Sequence, residues 1–229
     1  MLHHHAEWQR APLAAIRLAG EAVPQPRPGQ DVLIVGNGPG AAHVDRAAQH
    51  DAWVVRFNNC PHFDADRDDR IDELVLVNCG GQMEEWLRQG RLGNPEAFAR
   101  AALVTFPVHP GIAAFYRPVL SLDELRDAAR QDFTWPALAR VRERASPCLL
   151  YTPDLYRRAA TALGEPVFRA GMAVPSSGFL ACYRTALAHP RSRILIAGFG
   201  FAGWDGHPWA RERAWCEALA GEGRLVFLD

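Results

Sequence analysis

The chain has 229 residues, of which 48% are hydrophobic and 22% charged, proportions that are typical of one compact globular domain. Its 25 basic and 26 acidic residues nearly cancel, so the charge balance gives no reason to expect a nucleic acid or an acidic membrane surface as a partner. Every basic residue is arginine. The absence of lysine excludes a Schiff-base lysine, a lysine general base and a Walker-type phosphate loop.

The five cysteines are widely spaced and form no CxxC pair, a pattern that is typical of reduced thiols in a cytosolic protein. The sequence contains no apolar run of about 18 residues, the length that a membrane-spanning helix requires. Its N-terminus does not combine a basic region with an apolar core. We therefore expect a cytoplasmic location and no transmembrane segment.

A regular alternation of strand-like and helix-like segments begins at Asp31. Residues 1–30 combine a short apolar stretch with the proline-rich EAVPQPRPGQ, and we interpret them as an N-terminal extension and linker. The predicted strands are apolar runs at 32–35, 52–57, 73–78, 101–106, 148–151, 193–198 and 224–228. The predicted helices are 40–49, 82–90, 94–101, 121–130, 136–145, 153–163, 178–188 and 208–221. This order predicts a Rossmann-like, doubly wound, mostly parallel α/β sheet in a single domain over 31–229.

Residues 107–150 interrupt the alternation with polar helical patterns and several prolines. In an α/β fold, a segment of this kind often forms a lid beyond the strand ends. A surface helical hairpin without a function explains the pattern equally well. We therefore treat this segment as a possible lid.

The first predicted strand runs into a loop that contains Gly36, Gly38 and Ala41, a match to the dinucleotide fingerprint G-x-G-x-x-A. Such glycines let the backbone approach a phosphate or a ribose. A nicotinamide cofactor would also require an acidic residue at the end of the second strand, but Arg56 and Asn58 stand there. Because Arg56 could meet a 2′-phosphate, an NADP-dependent oxidoreductase remains an alternative.

Asparagines follow three successive strands of the predicted sheet, as Asn37, Asn58 and Asn78. The carboxyl ends of the strands in an open sheet line one crevice, where ligands bind. A neutral amide both donates and accepts hydrogen bonds, so it can bind a base, a ribose hydroxyl or a sugar carboxylate. Turn capping explains any one of them, but three in register favour a ligand.

Pro175, Ser176, Ser177 and Gly178 are typical of the start of a helix, which becomes an anion site if it faces the crevice. The next strand ends in GFGF at 198–201, a sequence flexible enough to wrap a ligand and one that includes Phe199.

His207 directly precedes Pro208, a favoured first residue of a helix. Imidazole is the best general base near neutral pH, although a histidine at a helix start is often structural. Glu212 follows five residues later, near enough in sequence to orient His207 or to bind an acceptor, although the spacing does not place both on one helix face.

These blocks occur in a fixed order: GNGP at 36–39, RFN at 56–58, Asn78, PSSG at 175–178, GFGF at 198–201 and HPWARE at 207–212. The ordered set resembles the motifs of sialyltransferases, both bacterial family forty-two and animal family twenty-nine. The resemblance covers about 31–80 and 172–220. The chain is also similar to some bacterial proteins described as urease-operon accessory proteins.

The resemblance to sialyltransferases implies a Rossmann-like nucleotide-sugar-binding domain that takes CMP-sialic acid, requires no metal and transfers the sugar to a glycan or another hydroxyl acceptor. It implies no other cofactor. The resemblance implies that the donor is contacted by Asn37, Asn58 and Asn78. The donor's cytidine or phosphate would lie at Ser176, Ser177 and Gly178. We add Gly36, Gly38 and Phe199 to the predicted donor site. His207 would be the general base, and Glu212 matches the glutamate of the motif H-x4-E.

The chain departs from the bacterial family in two places, since Trp204 follows the GFGF turn where the family has tyrosines, and Gly40 replaces the serine of the family's G-N-G-P-S turn. The missing tyrosines favour a second possibility, a non-catalytic nucleotide-binding accessory protein on the same scaffold. An acidic stretch at 63–72 contains Asp64, Asp66 and Asp68, but it lacks the glycine and the distant glutamate of a calcium loop, and we predict no metal site.

Overall fold

The structure is a computed structural model that describes residues 15–20 and 22–228. An eight-stranded sheet forms its centre. The strands are β1 (Ala15–Ala19), β2 (Val32–Val35), β3 (Trp53–Phe57), β4 (Glu73–Val75), β5 (Leu103–Phe106), β6 (Cys148–Tyr151), β7 (Ile194–Ala197) and β8 (Leu225–Phe227). The α-helices are α1 (Arg46–Asp51), α2 (Gly80–Arg88), α3 (Pro95–Arg100), α4 (Leu122–Arg130), α5 (Thr134–Glu143), α6 (Pro153–Ala162), α7 (Ser177–Ala188) and α8 (Trp209–Gly221). Two 3-10 helices cover Pro39–His43 and Pro110–Phe115.

The strand order is β1-β6-β5-β4-β3-β2-β7-β8. All neighbouring strands are parallel except β1, which pairs antiparallel with β6 at one edge. The chain starts its parallel sheet at β2, builds outward to β6, and then returns to place β7 and β8 on the other side of β2. The predicted Rossmann-like α/β fold is confirmed, and its topological switch point lies between β2 and β7.

Helices cover both faces of the sheet because the side chains of each strand alternate between them. Val32 and Ile34 of β2 point into a core that also contains the buried faces of α6, α7 and α8. Leu33 and Val35 point to the opposite face, where the 3-10 helix Pro39–His43 contributes buried Ala41. Farther along that face, α2, α3 and α5 bury their apolar side chains against β4, β5 and β6. The all-apolar strands of the sequence are thus strands buried on both sides.

Two local predictions differ from the structure. The single helix predicted at 40–49 is split, because the carboxylate of Asp45 accepts a hydrogen bond from the Ala47 amide and starts α1 as a new helix. The sequence also predicts no strand at 15–19, where the structure has β1. This five-residue edge strand exists through its pairing with β6, which its own short sequence does not reveal. Residues 1–14 of the predicted extension lie outside the described residues.

The predicted lid range of 107–150 contains two kinds of structure. α5 packs into the core with Ala137, Leu138 and Val141 buried, and the range ends inside β6. α4, in contrast, has no buried residue. Before α4, Ile112, Phe115 and Tyr116 pack against the core, so α4 is the helix of this range that stands away from it. A lid role for the range stays a prediction.

Candidate functional site

The loops that follow β2 and β7 pack tightly on each other at the switch point. The amide of Gly36 donates to the Ala197 carbonyl at 2.8 Å, and the amide of Gly38 donates to the Gly198 carbonyl at 2.9 Å. A Cβ atom on Gly36 would lie 2.4 Å from the Gly198 carbonyl oxygen, so no larger residue fits there. The two glycine amides are therefore used within the fold. Their contact with a donor stays a prediction, whereas Asn37 between them is exposed.

Phe199 joins four elements at this edge of the sheet. Its ring lies 3.2 Å from the position of a Cβ on Gly36 and 3.0 Å from that of a Cβ on Gly178. It also makes an edge-to-face contact with Phe57, at 6.5 Å between ring centroids. The ends of β2, β3 and β7 and the start of α7 thus meet around one half-buried aromatic ring.

Asn58 lies directly after β3 in the left-handed backbone region, with a φ of 54°, which asparagine tolerates better than most residues. Its side-chain oxygen accepts a hydrogen bond from the Val77 amide at 2.9 Å, and its backbone N–H donates to the Val75 carbonyl. The side chain is half-buried, and its Nδ2 has no partner among the described residues. Asn58 therefore bridges two strand ends and still has a donor to offer a ligand.

Asn78 has a different environment, because it is fully buried. Its Nδ2 donates to the Val108 carbonyl and to the Thr134 hydroxyl, both at 2.6 Å, and its Oδ1 accepts from the Val108 amide at 3.0 Å. The side chain thus ties the end of β4 to the loop after β5 and to the start of α5. A contact between Asn78 and a donor stays a prediction that would require this clamp to open.

A second buried clamp joins the start of α7 to α8. Ser176 is the N-cap of α7, where its hydroxyl accepts from the Phe179 amide at 3.1 Å. The same hydroxyl and the Ser176 amide donate to the two carboxylate oxygens of Glu212, each at 2.7 Å. Burial raises the pKa of the Glu212 carboxyl, while the hydrogen bonds from Ser176 oppose that shift.

This clamp corrects the expectation that Glu212 orients His207. The carboxylate accepts hydrogen bonds from Ser176 instead, because Glu212 is buried within α8 whereas His207 lies in the loop before that helix and bonds to Val174. The sequence held a weak signal for this partner, since a buried acid needs a donor and Ser176 caps the neighbouring helix.

His207 is half-buried in the loop before α8. Its Nδ1 lies 2.7 Å from the Val174 carbonyl oxygen. A carbonyl can only accept, so Nδ1 carries the proton and Nε2 keeps its lone pair. Among the described residues Nε2 has no hydrogen-bond partner. Burial lowers the pKa of His207, although the hydrogen bond to Val174 opposes the shift. The ring is therefore neutral near pH 7, and Nε2 can accept a proton.

The segment before α7 holds His207 close to the helix start. The Val174 amide donates a hydrogen bond to the Gly206 carbonyl at 2.8 Å, and the Val174 carbonyl accepts a hydrogen bond from Nδ1 of His207. Three residues later, Ser177 opens α7, and its amide and that of Gly178 find no partner in the described part of the chain. Free amides at the positive end of a twelve-residue helix can bind an anion.

The structure removes Arg56, one of the two observations that favoured NADP beside the G-x-G-x-x-A loop. Arg56 is buried, and its guanidinium donates to the Arg70 carbonyl at 3.0 Å and to Gln49 at 3.2 Å, with Asp69 at 3.7 Å. Burial lowers the pKa of Arg56. The group is therefore held inside the protein and is not offered to a 2′-phosphate at the edge of the sheet.

The acidic stretch at 63–72 is a loop stabilised by its own side chains. The carboxylate of Asp64 accepts from the amides of Asp66 and Arg67 and pairs with the Arg67 guanidinium at 2.9 Å. Within residues 15–20 and 22–228, no group of three or more histidine, cysteine, aspartate or glutamate side chains could hold a metal ion.

Fold comparison places the chain in a known structural class. It superposes on the crystal structure of a mammalian sialyltransferase with a TM-score of 0.54, covering 87% of this chain and 68% of that one. The sequence identity is 14%, at which the likeness shows a shared fold. No protein-family model matches the sequence.

The sequence itself is 31% identical, over 208 residues, to the urease operon 23 kDa accessory protein of Rhizobium meliloti strain 1021. The match covers 86% of this chain and 92% of that protein. The chain belongs to the family of this accessory protein. Both resemblances predicted from the sequence are therefore confirmed, the one to sialyltransferases at the level of the fold.

None of the helices among the described residues is both long enough and apolar enough to cross a membrane.

Proposed function

We propose that this protein is a metal-independent glycosyltransferase that moves an acidic, sialic-acid-like sugar from a CMP-activated donor to an acceptor hydroxyl. The observation that carries the proposal is His207, whose Nδ1 is fixed on the Val174 carbonyl while Nε2 keeps a free lone pair. It lies beside the open N-terminus of α7, at the carboxyl edge of a sialyltransferase-like fold. A base and an anion site next to each other suit a transfer from a nucleotide phosphate.

In this mechanism Nε2 of His207 takes the proton from the acceptor hydroxyl as its oxygen attacks the anomeric carbon of the donor sugar. The bond between that carbon and the phosphate oxygen breaks, and CMP leaves with the electron pair. The phosphate is a good leaving group, so the protein has to hold its charge and not protonate it. A neutral His207 ring, whose pKa burial lowers, is in the right state for this step.

The donor would lie along the residues that retain free polar atoms. The amides of Ser177 and Gly178 would hold the phosphate in the absence of lysine, because the helix end supplies both hydrogen bonds and positive potential. Nδ2 of Asn58 and the exposed side chain of Asn37 would contact the nucleoside or the sugar. Phe199 would form the floor on which these elements meet.

Glu212 then acts through Ser176 and not on the reacting atoms. By accepting two hydrogen bonds from Ser176, it fixes the position of the α7 N-terminus relative to α8 and hence relative to His207. We assign Glu212 as a positioning residue for the anion site.

The family supports a second candidate, a non-catalytic nucleotide-binding protein with an accessory role. The matched relative is named as a urease operon accessory protein. On this alternative CMP would bind at the same edge and no transfer would follow. A cytoplasmic location suits both candidates and stays a prediction.

Nucleotide binding is the first test. If the donor is CMP-activated, CMP should raise the unfolding temperature more than UDP or NADP does, because a ligand that binds only the folded state stabilises it. Donor hydrolysis or transfer should persist in EDTA. A larger shift with NADP, or activity that disappears with EDTA and returns with manganese, would contradict the proposal.

Variants separate the enzyme from the binding protein. His207→Ala should slow transfer by about 10²–10⁴-fold and leave CMP affinity within a few-fold. Asn58→Ala should weaken CMP binding about tenfold, the effect of one lost hydrogen bond. His50→Ala, on the exposed end of α1, is the matched control and should change neither quantity. Tight CMP binding without any detectable transfer would favour the accessory role.

A further inference from the structure

Trp204 is a large apolar side chain that stays exposed beside the site, with 66% of its surface accessible. Its ring is nevertheless held in place. A Cβ on Gly206 would lie within 2.2–2.4 Å of three of its ring carbons, so the indole lies directly on the glycine backbone. Nε1 of Trp209 donates to the Trp204 carbonyl at 3.1 Å and closes the loop.

This loop places His207 between two tryptophans. The centroid of the His207 ring is 4.9 Å from that of Trp204 and 4.9 Å from that of Trp209, and both pairs are edge-to-face, at 87° and 79°. Both indoles therefore stand nearly perpendicular to the imidazole ring, and Trp204 turns most of its surface to solvent. An aromatic ring fixed in this way costs little further entropy when a ligand covers it.

The neighbouring Asp205 adds a polar group to the same loop. It is exposed, and its carboxylate has no hydrogen-bond or ion-pair partner among the residues that the structure describes. A carboxylate accepts hydrogen bonds from hydroxyl groups, while its charge disfavours a negatively charged ligand.

These features together match the chemistry of a neutral sugar. One face of a pyranose ring carries mainly C–H groups, which pack on an aromatic face, and its edge carries hydroxyls, which donate to a carboxylate. A nucleobase would stack on Trp204 equally well, but the exposed carboxylate of the adjacent Asp205 disfavours a nucleotide, which carries an anionic phosphate. The negative charge of the loop thus argues for the uncharged substrate.

We propose that Trp204 and Asp205 form the acceptor subsite, which takes a neutral pyranose and presents one of its hydroxyls to Nε2 of His207. The proposal rests on the proposed function, because it takes His207 as the base. It makes Trp204 the residue that selects a glycan acceptor and Asp205 the residue that selects against an acceptor ending in an acidic sugar. The donor sugar is acidic, so the subsite would also favour a single transfer.

Saturation-transfer difference NMR can test the subsite without any catalysis. The probes are methyl β-galactoside, methyl β-glucoside, methyl N-acetyl-β-glucosaminide and lactose, with sialyllactose as the charged comparison. At least one neutral probe should bind, with its strongest signals from the C–H face of the ring. Trp204→Ala should weaken that binding about tenfold, and Trp204→Phe should restore part of it.

Trp135, at the start of α5, provides a matched control because it is 64% exposed and is far along the chain from His207. Trp135→Ala should leave the neutral probe bound as in the wild type. Asp205→Asn should narrow the difference between lactose and sialyllactose. If CMP stabilises Trp204→Ala as much as the wild type, the variant is still folded and its proposed donor site still binds CMP.

The outcomes separate this inference from the proposed function. The subsite is wrong if no neutral probe binds, or if Trp204→Ala binds the neutral probe as well as the wild type does. Loss of CMP binding alone, with saccharide signals that still depend on Trp204, would overturn the transferase and leave the saccharide site standing. CMP binding and transfer dependent on His207, without any effect of Trp204, would overturn the subsite alone.

Discussion

The amino and carboxyl edges of the sheet differ in how openly their loops are packed and in which polar groups they expose. At the amino edge, before β2 and β7, an open cleft of about 890 Å³ lies between the Arg27–Asp31 segment, α1 and Arg193. At the carboxyl edge, the loop after β2 packs on the end of β7 and on the loop that follows it, where Gly36 and Gly38 donate to the carbonyls of Ala197 and Gly198. This cleft lies on the side of the sheet away from His207.

Chemistry favours the carboxyl edge as the site. In a doubly wound sheet, ligands bind beyond the carboxyl ends of the strands at the switch point. The amino-edge cleft is lined by exposed arginines and by two aspartates, and one of these, the half-buried Asp31, already bonds to Arg193. The carboxyl edge, in contrast, combines a base, a free helix N-terminus and two buried clamps. The convergence of fixed polar groups thus supports the carboxyl edge as the site that we propose.

The largest effect that this comparison predicts is on Glu212. Glu212→Ala leaves the buried amide and hydroxyl of Ser176 without their acceptor, and we expect a loss of about 3 kcal/mol in the free energy of unfolding. Glu217→Ala on the same helix removes an exposed pair with Arg213 and should cost no more than about 0.5 kcal/mol. Urea unfolding measures both. Equal costs for the two variants would show that the clamp contributes nothing specific.

We expect Gly36→Ala to cause a smaller loss in the free energy of unfolding than Glu212→Ala does. The new Cβ would lie 2.4 Å from a backbone oxygen of Gly198, which cannot move without shifting the β7 loop. We expect about 2 kcal/mol in the free energy of unfolding, the usual cost of overpacking. Gly200→Ala is the control, because a Cβ there meets nothing within 4 Å, and its effect should stay within about 0.5 kcal/mol. If the two variants are equally stable in urea, the loops do not pack as closely as described.

We expect the smallest effect from substitutions in the cleft at the amino edge of the sheet. A double variant, Arg27→Ala with Arg191→Ala, removes two exposed guanidinium groups from the cleft and should leave the stabilisation by CMP unchanged. Differential scanning fluorimetry with and without CMP measures this, with Asn58→Ala as the comparison that should reduce it. Loss of the CMP effect in the arginine variant alone would place the nucleotide at the amino edge.

Much of the fold and part of the site could be predicted from the sequence because the signals are local. Apolar runs predicted the seven strands from β2 to β8, and glycine, proline and helix-capping residues marked the turns between them. The positions of Asn58, Ser177 and His207 at one edge followed from the order of strands alone, since the carboxyl ends of parallel strands share an edge.

Only the tertiary structure decided which of these polar groups are free. Asn78 and Asn58 both follow a strand in the sequence, yet Asn78 is saturated by Val108 and Thr134 while Asn58 keeps a donor. Glu212 likewise lies near His207 in the chain but bonds to Ser176, 36 residues away. A side chain's type determines which bonds it can make, whereas burial and the elements packed around it determine which bonds it does make. That choice depends on residues distant in sequence, so it is fixed only when the chain is folded.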